Sequence, residues 1–78
     1  MDELYKAIID ELSEISGIEP KLIGKDDNFQ DILDIDSLEA VTVIYKIEKR
    51  YGVKLKGIDP ESVQTPYLLY LSIKEKLG

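Results

Sequence analysis

The sequence predicts an all-α fold, a four-helix bundle made of three main helices and one short third helix. Three long segments carry apolar residues every three or four positions, and each has helix-start and helix-stop residues at its ends. The stretch 53–56 alternates like a strand but has no partner segment. With 78 residues, 44% of them hydrophobic, the chain is globular and near the lower size limit for folding on its core alone. We therefore expect residues 1–78 to form a single domain.

The first helix is predicted from about Asp2 to Ser16. Acidic residues at its start suit the positive end of the helix dipole, and Gly17 is a typical stop. The apolar residues that fall at helical spacing, and should face the core, are Leu4, Ile8, Leu12 and Ile15.

Residues 17–36 are predicted to form a long but ordered loop. A loop of this length in a small domain is usually functional. Its apolar side chains should hold it against the core, and they are Ile18, Leu22, Ile23, Phe29, Ile32 and Leu33.

The second helix is predicted from Ser37 to Tyr51, with Asp36 as its N-cap, Glu39 completing a capping-box-like pair and Gly52 ending it. At about 100° per residue its apolar residues fall on two faces. The face that suits the core consists of Ala40, Val43, Ile44, Ile47 and Tyr51.

The nearly opposite face of this helix carries Leu38, Val41 and Tyr45. A surface helix of a small bundle needs only one apolar stripe. We therefore expect these three side chains to form an exposed patch for a partner, beside Ser37 and near Glu39, Thr42, Glu48 and Lys49. The alternative is that both stripes are buried between neighbouring helices.

The remaining helices are predicted from cap-and-proline signals. Asp59 followed by Pro60 predicts a short helix near Pro60 to Gln64, and Thr65 followed by Pro66 predicts the last helix, from Pro66 to about Leu77.

The composition excludes several kinds of chemistry. The chain contains no cysteine and no histidine, which rules out disulfides, thiolate metal sites and histidine-based catalysis. Ser37 has no base to activate it, and so short a chain has little room for a cleft between paired carboxylates. We expect no catalytic residue and no enzyme activity.

The acidic loop does not contain a calcium-binding motif. In a loop that starts at Asp26, the sixth position, which should be glycine, is Asp31, and the twelfth, which should be glutamate, is Ser37. Weak divalent-cation binding by the clustered acids stays open, and we assign no metal ligand.

The net charge of −6 is distributed unevenly. Residues 1–36 hold eleven acids and three lysines (−8), whereas residues 37–78 hold five acids and seven bases (+2). The acidic half argues against a nucleic-acid partner and for basic protein surfaces. No apolar run reaches the length of a membrane span, and the first residues, Met-Asp-Glu-Leu-Tyr-Lys, do not show the basic-then-apolar pattern expected of a leader. We expect a cytoplasmic monomer.

Asp36-Ser37-Leu38 places a hydroxyl where a phosphate is favoured, because the free N–H groups and the dipole at a helix start attract anions. From Phe29-Gln-Asp-Ile-Leu-Asp-Ile-Asp-Ser-Leu-Glu-Ala-Val to Ile47-Glu-Lys-Arg-Tyr-Gly-Val, the sequence resembles acyl carrier proteins. The similarity covers nearly the whole chain.

This resemblance implies a non-catalytic carrier. Ser37, flanked by Asp36 and Leu38, would carry 4′-phosphopantetheine that a phosphopantetheinyl transferase adds from coenzyme A. Acyl groups would be carried on its thiol as thioesters. Acyl-transfer and synthase enzymes of fatty-acid or related lipid or polyketide synthesis would act on them. The second helix would dock these partners through Leu38, Glu39, Val41, Thr42, Tyr45, Glu48 and Lys49. An acyl pocket would be lined by Phe29, Leu33, Val43, Ile44, Ile47, Leu55, Val63 and Ile73.

The sequence departs from the family pattern around the motif. Asp34 stands where the family usually has glycine, and Ile35 where it has a small residue. Thr42 replaces a usual acid, Tyr45 replaces an aliphatic residue or methionine, and Lys49 and Arg50 add positive charge. These differences predict a specialised carrier with particular partners. The alternatives are an aminoacyl or peptidyl carrier, a helical interaction module without a prosthetic group, and a metal-stabilised structural domain.

Overall fold

The computed structural model describes residues 2–78. Within this range it has three α-helices and no strand: α1 (Glu3–Ser16), α2 (Ser37–Tyr51) and α3 (Pro66–Leu77). A single turn of 3₁₀ helix, Pro20–Leu22, interrupts the loop between α1 and α2. The all-α prediction is confirmed, and none of these helices is long and apolar enough to cross a membrane.

The helix boundaries agree with the predicted caps. The side chain of Asp2 accepts a hydrogen bond from Tyr5 N–H (3.1 Å), so α1 starts one residue later than predicted. The Thr65 hydroxyl caps α3 by accepting from Leu68 N–H (3.2 Å). Gly17 and Gly52 end α1 and α2 with φ of 76° and 66°, a left-handed conformation that is readily available to glycine.

The predicted short third helix is wrong, because residues 60–62 form only a turn. Ser62 N–H donates to the Asp59 carbonyl at 3.0 Å, which closes the turn. The Gln64 side chain then donates to the Pro60 carbonyl at 2.9 Å, in the place where a helix would use the Gln64 main-chain N–H. The Gln64 carbonyl accepts instead from Phe29 N–H (2.8 Å). A tertiary contact thus replaces the second helical turn, and the fold is a four-helix bundle only loosely.

The α1–α2 loop is ordered, as predicted, because two of its hydrogen bonds reach the far end of the chain. Besides the bond from Phe29 to Gln64, Tyr67 N–H donates to the Lys25 carbonyl at 3.0 Å. Ile23, Phe29 and Leu33 are buried, and Ile18 packs against the core.

The prediction that Leu22 and Ile32 hold the loop against the core is wrong. Leu22 and Ile32 are 64% and 61% exposed. Ile35, which was not among the predicted anchors, is only 1% exposed and fills the core instead.

Helix α1 is the common neighbour of the other helices. It packs against both α2 and α3, whereas α2 and α3 make no close backbone contact within residues 2–78. Its buried face consists of five side chains: Leu4, Ala7, Ile8, Ile9 and Leu12. Side chains from the loops join the same hydrophobic cluster: Ile23, Phe29, Leu33, Ile35, Leu55 and Val63. The loops are therefore part of the core.

Ion pairs join α1 to α2 on one flank of the bundle. Lys46 lies 3.0 Å from Glu14, and Arg50 lies 3.2 Å from Glu11. The pair of Lys46 and Glu14 is exposed and contributes little stability, since solvent screens it, whereas the Glu11 side chain is only 11% exposed. The pairs matter more for the charge of the α2 surface, because two of the three cations in the second half of α2 have acidic partners within the protein.

A tyrosine cluster joins the start of α1 to α3. The Tyr70 hydroxyl donates to the Asp2 carboxylate at 2.6 Å, and Lys74 Nζ lies 3.1 Å from the same oxygen. The rings of Tyr5 and Tyr70 meet edge to face, 5.7 Å between centroids. Hydrogen bonds from the Tyr70 hydroxyl and from Tyr5 N–H lower the pKa of Asp2 to about 2 from its ordinary 3.8.

This lowered pKa predicts a defined acid sensitivity. Because the folded state keeps Asp2 ionised to lower pH than the unfolded state, its contribution is complete above about pH 4. It is lost as the pH falls through about 2. In Tyr70→Phe, which loses the bond that lowers the pKa most, we expect the pKa of Asp2 to rise towards 3.8. An NMR titration of the Asp2 carboxyl carbon measures this.

The matched control is Tyr67→Phe. Tyr67 stacks on Tyr70, with 6.3 Å between ring centroids, but its hydroxyl makes no bond to Asp2 in the part of the chain that the structure describes. Its removal should leave the titration of Asp2 near 2. Equal titration curves for wild type and Tyr70→Phe would contradict the assignment.

Candidate functional site

Ser37 is the first residue of α2, and its side chain is half-buried. The predicted capping box is present: Glu39 N–H donates to the Asp36 carboxylate (2.8 Å), and Asp36 N–H donates to the Glu39 carboxylate (3.1 Å). These bonds use two of the four N–H groups that a helix start leaves free. Among residues 2–78, no backbone or side-chain acceptor binds the N–H groups of Ser37 and Leu38.

This arrangement fits a phosphate ester on Ser37. Two free N–H groups and the positive end of the α2 dipole lie beside the hydroxyl, and both stabilise negative charge. The capping box holds this helix end in place, so that the serine is presented from a rigid element.

A left-handed residue sets the approach of the chain to this helix. Asp34 has φ of 55°, a conformation that costs most side chains energy but that aspartate tolerates better than β-branched residues. The next residue, Ile35, is buried, and its N–H donates to the Phe29 carbonyl at 2.7 Å. The turn at Asp34 therefore lets the chain bury Ile35 and then bring Asp36 and Ser37 out to the start of α2.

The burial of Ile35 is the site feature that the sequence reasoning missed. With Asp36 as N-cap, Ile35 and Ala40 occupy the two positions of a hydrophobic staple, in which the residue before the cap packs on the fourth helical residue. Both are buried, at 1% and 2% exposure. The staple pattern is the sequence signal that could have identified Ile35.

The second apolar face of α2 lies on the surface. Leu38, Val41 and Tyr45, which we call the α2 patch, are 78%, 47% and 54% exposed, so the prediction of exposure is confirmed. Lys49 Nζ lies 5.5 Å from the centre of the Tyr45 ring, within the range of a cation–π contact. The α2 patch is therefore apolar and aromatic, with a positive charge at one end.

Other predicted docking residues have bonds within the protein. The Glu48 carboxylate accepts from Leu55 N–H at 2.7 Å and holds the segment after α2. The Thr42 hydroxyl donates to the Leu38 carbonyl (3.0 Å). Glu39 belongs to the capping box. The docking roles of these residues stay predictions.

The predicted core position of one residue of α2, Tyr51, is wrong. Ala40, Val43, Ile44 and Ile47 are buried, but Tyr51 is 39% exposed. It is the last residue of α2, where the chain turns at Gly52 and leaves the core face.

The residues predicted to line an acyl pocket lie together in one hydrophobic cluster, and each is at most 8% exposed: Phe29, Leu33, Val43, Ile44, Ile47, Leu55, Val63 and Ile73. A surface pocket of about 230 Å³ lies elsewhere, between the 57–63 segment and α3, and shares only Val63 with this set. Whether the cluster admits an acyl chain stays a prediction.

Two acids of the loop make local contacts. Asp27 accepts from Gly24 N–H at 2.7 Å, and Asp26 pairs with Lys25 at 2.9 Å. Within residues 2–78, no group of three or more acidic side chains is arranged to hold a metal ion.

The chain is similar to known carriers. Residues 6–66 match the family model described as "Phosphopantetheine attachment site". The chain is 36% identical over 64 residues to the acyl carrier protein of Lactobacillus johnsonii, covering 82% of this chain and 80% of that protein. It is 38% identical over 64 residues to the meromycolate extension acyl carrier protein of Mycobacterium leprae, covering 82% of this chain but only 56% of that protein. The chain thus spans little more than half the length of the mycobacterial relative.

The left-handed turn at Asp34 predicts an order of stabilities at that position. A β-branched residue in this conformation is strained, so Asp34→Val should lower the free energy of unfolding by about 1–2 kcal/mol. Asp34→Gly, the matched control, should stay within about 1 kcal/mol of wild type, because glycine adopts the conformation without strain but loses more backbone entropy on folding. Urea denaturation measures both, and equal stability of the valine variant and wild type would show that position 34 is not left-handed.

Proposed function

The chain belongs to the acyl carrier protein family, whose domains bear a phosphopantetheine attachment site, and we propose that Ser37 is the residue to which 4′-phosphopantetheine is attached. The observation that carries this proposal is the position of Ser37 as first residue of a capped α2, with free N–H groups beside it. Ser37 also lies inside the matched range 6–66.

The protein's own residues have a limited part in the attachment. The Ser37 hydroxyl oxygen would bond to the phosphorus of the pantetheine phosphate of coenzyme A, giving up its proton as the pyrophosphate bond breaks and the adenosine nucleotide leaves. The start of α2 would stabilise the resulting phosphodiester charge, and Asp36 would hold that helix end through its bond to Glu39 N–H. When attached, the group supplies a thiol that forms thioesters, which this cysteine-free chain lacks.

We propose that residues 1–78 act as a non-catalytic acyl carrier in fatty-acid or related lipid or polyketide synthesis. The relatives named acyl carrier proteins support this class of cargo. An aminoacyl or peptidyl carrier is the alternative, and the Asp-Ser-Leu motif argues against it because peptidyl carriers more often have two glycines before the serine. Cytoplasmic location and the monomeric state stay predictions from the sequence.

We further propose that the α2 patch docks the transferase and the acyl-transfer or synthase enzymes. Its three apolar side chains adjoin Ser37 along one face of α2, so a bound enzyme would have the arm within reach. Lys46 and Arg50 are paired with acids of α1, which leaves Lys49 as the cation beside Tyr45. The surface fits an enzyme that offers an apolar pocket better than one that relies on a basic patch alone.

The attachment is tested by intact mass. Incubation with coenzyme A, Mg²⁺ and a broad-specificity phosphopantetheinyl transferase should add one phosphopantetheinyl group, and Ser37→Ala should gain nothing. Ser62→Ala, which removes an exposed serine hydroxyl elsewhere, should gain the group like wild type. No gain in wild type, or an equal gain in Ser37→Ala, rules out the attachment proposal and favours a helical interaction module.

The docking proposal is tested at Tyr45. Tyr45→Glu should keep the helical circular dichroism spectrum, because the side chain is 54% exposed. It should slow modification by the same transferase about tenfold, the effect of losing about 1.4 kcal/mol at an interface. The matched control is Tyr51→Glu, an exposed tyrosine of α2 outside the α2 patch, which should react like wild type. Unfolding of Tyr45→Glu, or equal rates for the two variants, contradicts the docking proposal.

A further inference from the structure

Lys49 is the one charged residue of α2 on the face that carries the α2 patch. At about 100° per residue, helix geometry places Leu38, Val41, Thr42, Tyr45 and Lys49 within about 100° of one another. We propose that Lys49 selects the partners of the α2 patch by pairing with a carboxylate that the docked enzyme carries beside its apolar pocket. This inference rests on the attachment and docking proposed above, and it makes Lys49 a specificity-determining residue.

The charge of Lys49 is not neutralised within the part of the chain that the structure describes. Lys46 and Arg50 pair with acids of α1, at 3.0 Å and 3.2 Å, but no carboxylate of residues 2–78 pairs with Lys49. Lys49 is exposed, and its Nζ lies 5.5 Å from the centre of the Tyr45 ring. An ammonium group on the face of an aromatic ring keeps its three N–H donors for an oxygen acceptor. Lys49 is therefore positioned over Tyr45 and still able to bind a carboxylate.

The two acids of α2 lie on the flanks of this face and already have hydrogen-bond donors. Helix geometry places Glu39 about 100° to one side of Leu38 and Glu48 about 80° to the other. The Glu39 carboxylate accepts from Asp36 N–H at 3.1 Å, and the Glu48 carboxylate accepts from Leu55 N–H at 2.7 Å. The charge that a partner meets at the centre of the face is consequently the positive charge of Lys49.

The distance between Lys49 and Ser37 sets where the partner's carboxylate must lie. At 1.5 Å per residue, Lys49 stands about 18 Å from Ser37 along the axis of α2. A phosphopantetheine arm on Ser37 would enter the partner's active site, so the carboxylate should lie about this far from the entrance to that site. A cation at the same point would repel Lys49, and an apolar group there would bury an unpaired charge beside Tyr45. Enzymes of these two kinds would be disfavoured.

The charge distribution favours an enzyme on this face over a membrane or a second copy of the chain. The chain has a net charge of −6, so an anionic lipid surface that attracts Lys49 would repel the acidic first half. In a symmetric dimer the same face contacts itself, and this face offers no acid to pair with the Lys49 of the second copy. A partner enzyme can supply the missing carboxylate.

The test changes one charge on each side of the interface. In a broad-specificity phosphopantetheinyl transferase, the cations about 18 Å from the active-site entrance are replaced singly by glutamate. Intact mass then measures how fast each transferase modifies wild type and Lys49→Glu. One of the replacements should speed the modification of wild type roughly fivefold and slow that of Lys49→Glu roughly fivefold, because it pairs with a cation in the first and faces an acid in the second. Both effects should shrink towards zero in about 1 M NaCl, where the Debye length is about 3 Å.

The matched control is Lys6→Glu, which makes the same change of net charge at an exposed residue of α1. It should respond to each transferase variant as wild type does, because position 6 lies outside the α2 patch. Lys49→Met keeps a long apolar side chain without the charge, and its rate should change little with the charge on the transferase.

Two kinetic results would overturn the inference and leave the attachment proposal intact. The first is that no replacement on the transferase speeds the modification of wild type. The second is that Lys6→Glu responds as Lys49→Glu does, which would show that net charge alone sets the rate. Failure of every carrier to gain a phosphopantetheinyl mass overturns the attachment proposal itself.

Two binding results would assign the α2 patch to a different occupant and also overturn the inference. Analytical ultracentrifugation could show a wild-type dimer that Tyr45→Glu abolishes, which assigns the patch to a second copy of the chain. Co-sedimentation with phosphatidylglycerol vesicles that Lys49→Glu abolishes assigns it to a membrane surface. We expect a monomer that does not bind the vesicles.

Discussion

The hydrogen bond from Phe29 N–H to the Gln64 carbonyl, 2.8 Å long, joins the two loops that complete the core. Helix α1 contacts both α2 and α3, but α2 and α3 do not approach each other within residues 2–78. Loop side chains must therefore fill the core beside the helices, and their backbone polar groups need partners there. A backbone hydrogen bond contributes about 1 kcal/mol net, but an unpaired buried group costs about 1–3 kcal/mol. This requirement orders a loop that its acidic composition alone would not order.

The need to pair the loop backbone within the core also positions the candidate site. Phe29 also accepts from Ile35 N–H, so the loop is tied to the far end of the chain at a point directly before the N-cap of α2. The left-handed Asp34 lies on one side of Ile35, and the capping box lies on the other. Ser37 is consequently held from two directions, by the core through Ile35 and by the helix through Asp36. A chain of this size can present a hydroxyl reproducibly in this way.

The cations of α2 have different partners on the two sides of the helix. The acids of α1 pair with Lys46 and Arg50, while Lys49 lies over the ring of Tyr45. The net charge of −6 is therefore a poor guide to the surface that partners would meet. That surface is apolar and aromatic with a local positive charge. If partners dock on the α2 patch, as we propose, they would recognise its shape and apolar contacts, and long-range attraction by the acidic half would act mainly on the encounter rate.

The sequence by itself determined the three main helices, their ends, the position of Ser37 and the exposure of the α2 patch. Each of these depends on signals within a few residues, such as the pairing of Asp36 with Glu39 or the stop at Gly52. Tertiary structure decided the rest. It exposed Ile32 and Tyr51, buried Ile35, and turned the predicted helix after Pro60 into a turn. Those outcomes depend on partners distant in the chain, as with Phe29 and Gln64, and local patterns carry no information about which distant group will be the neighbour.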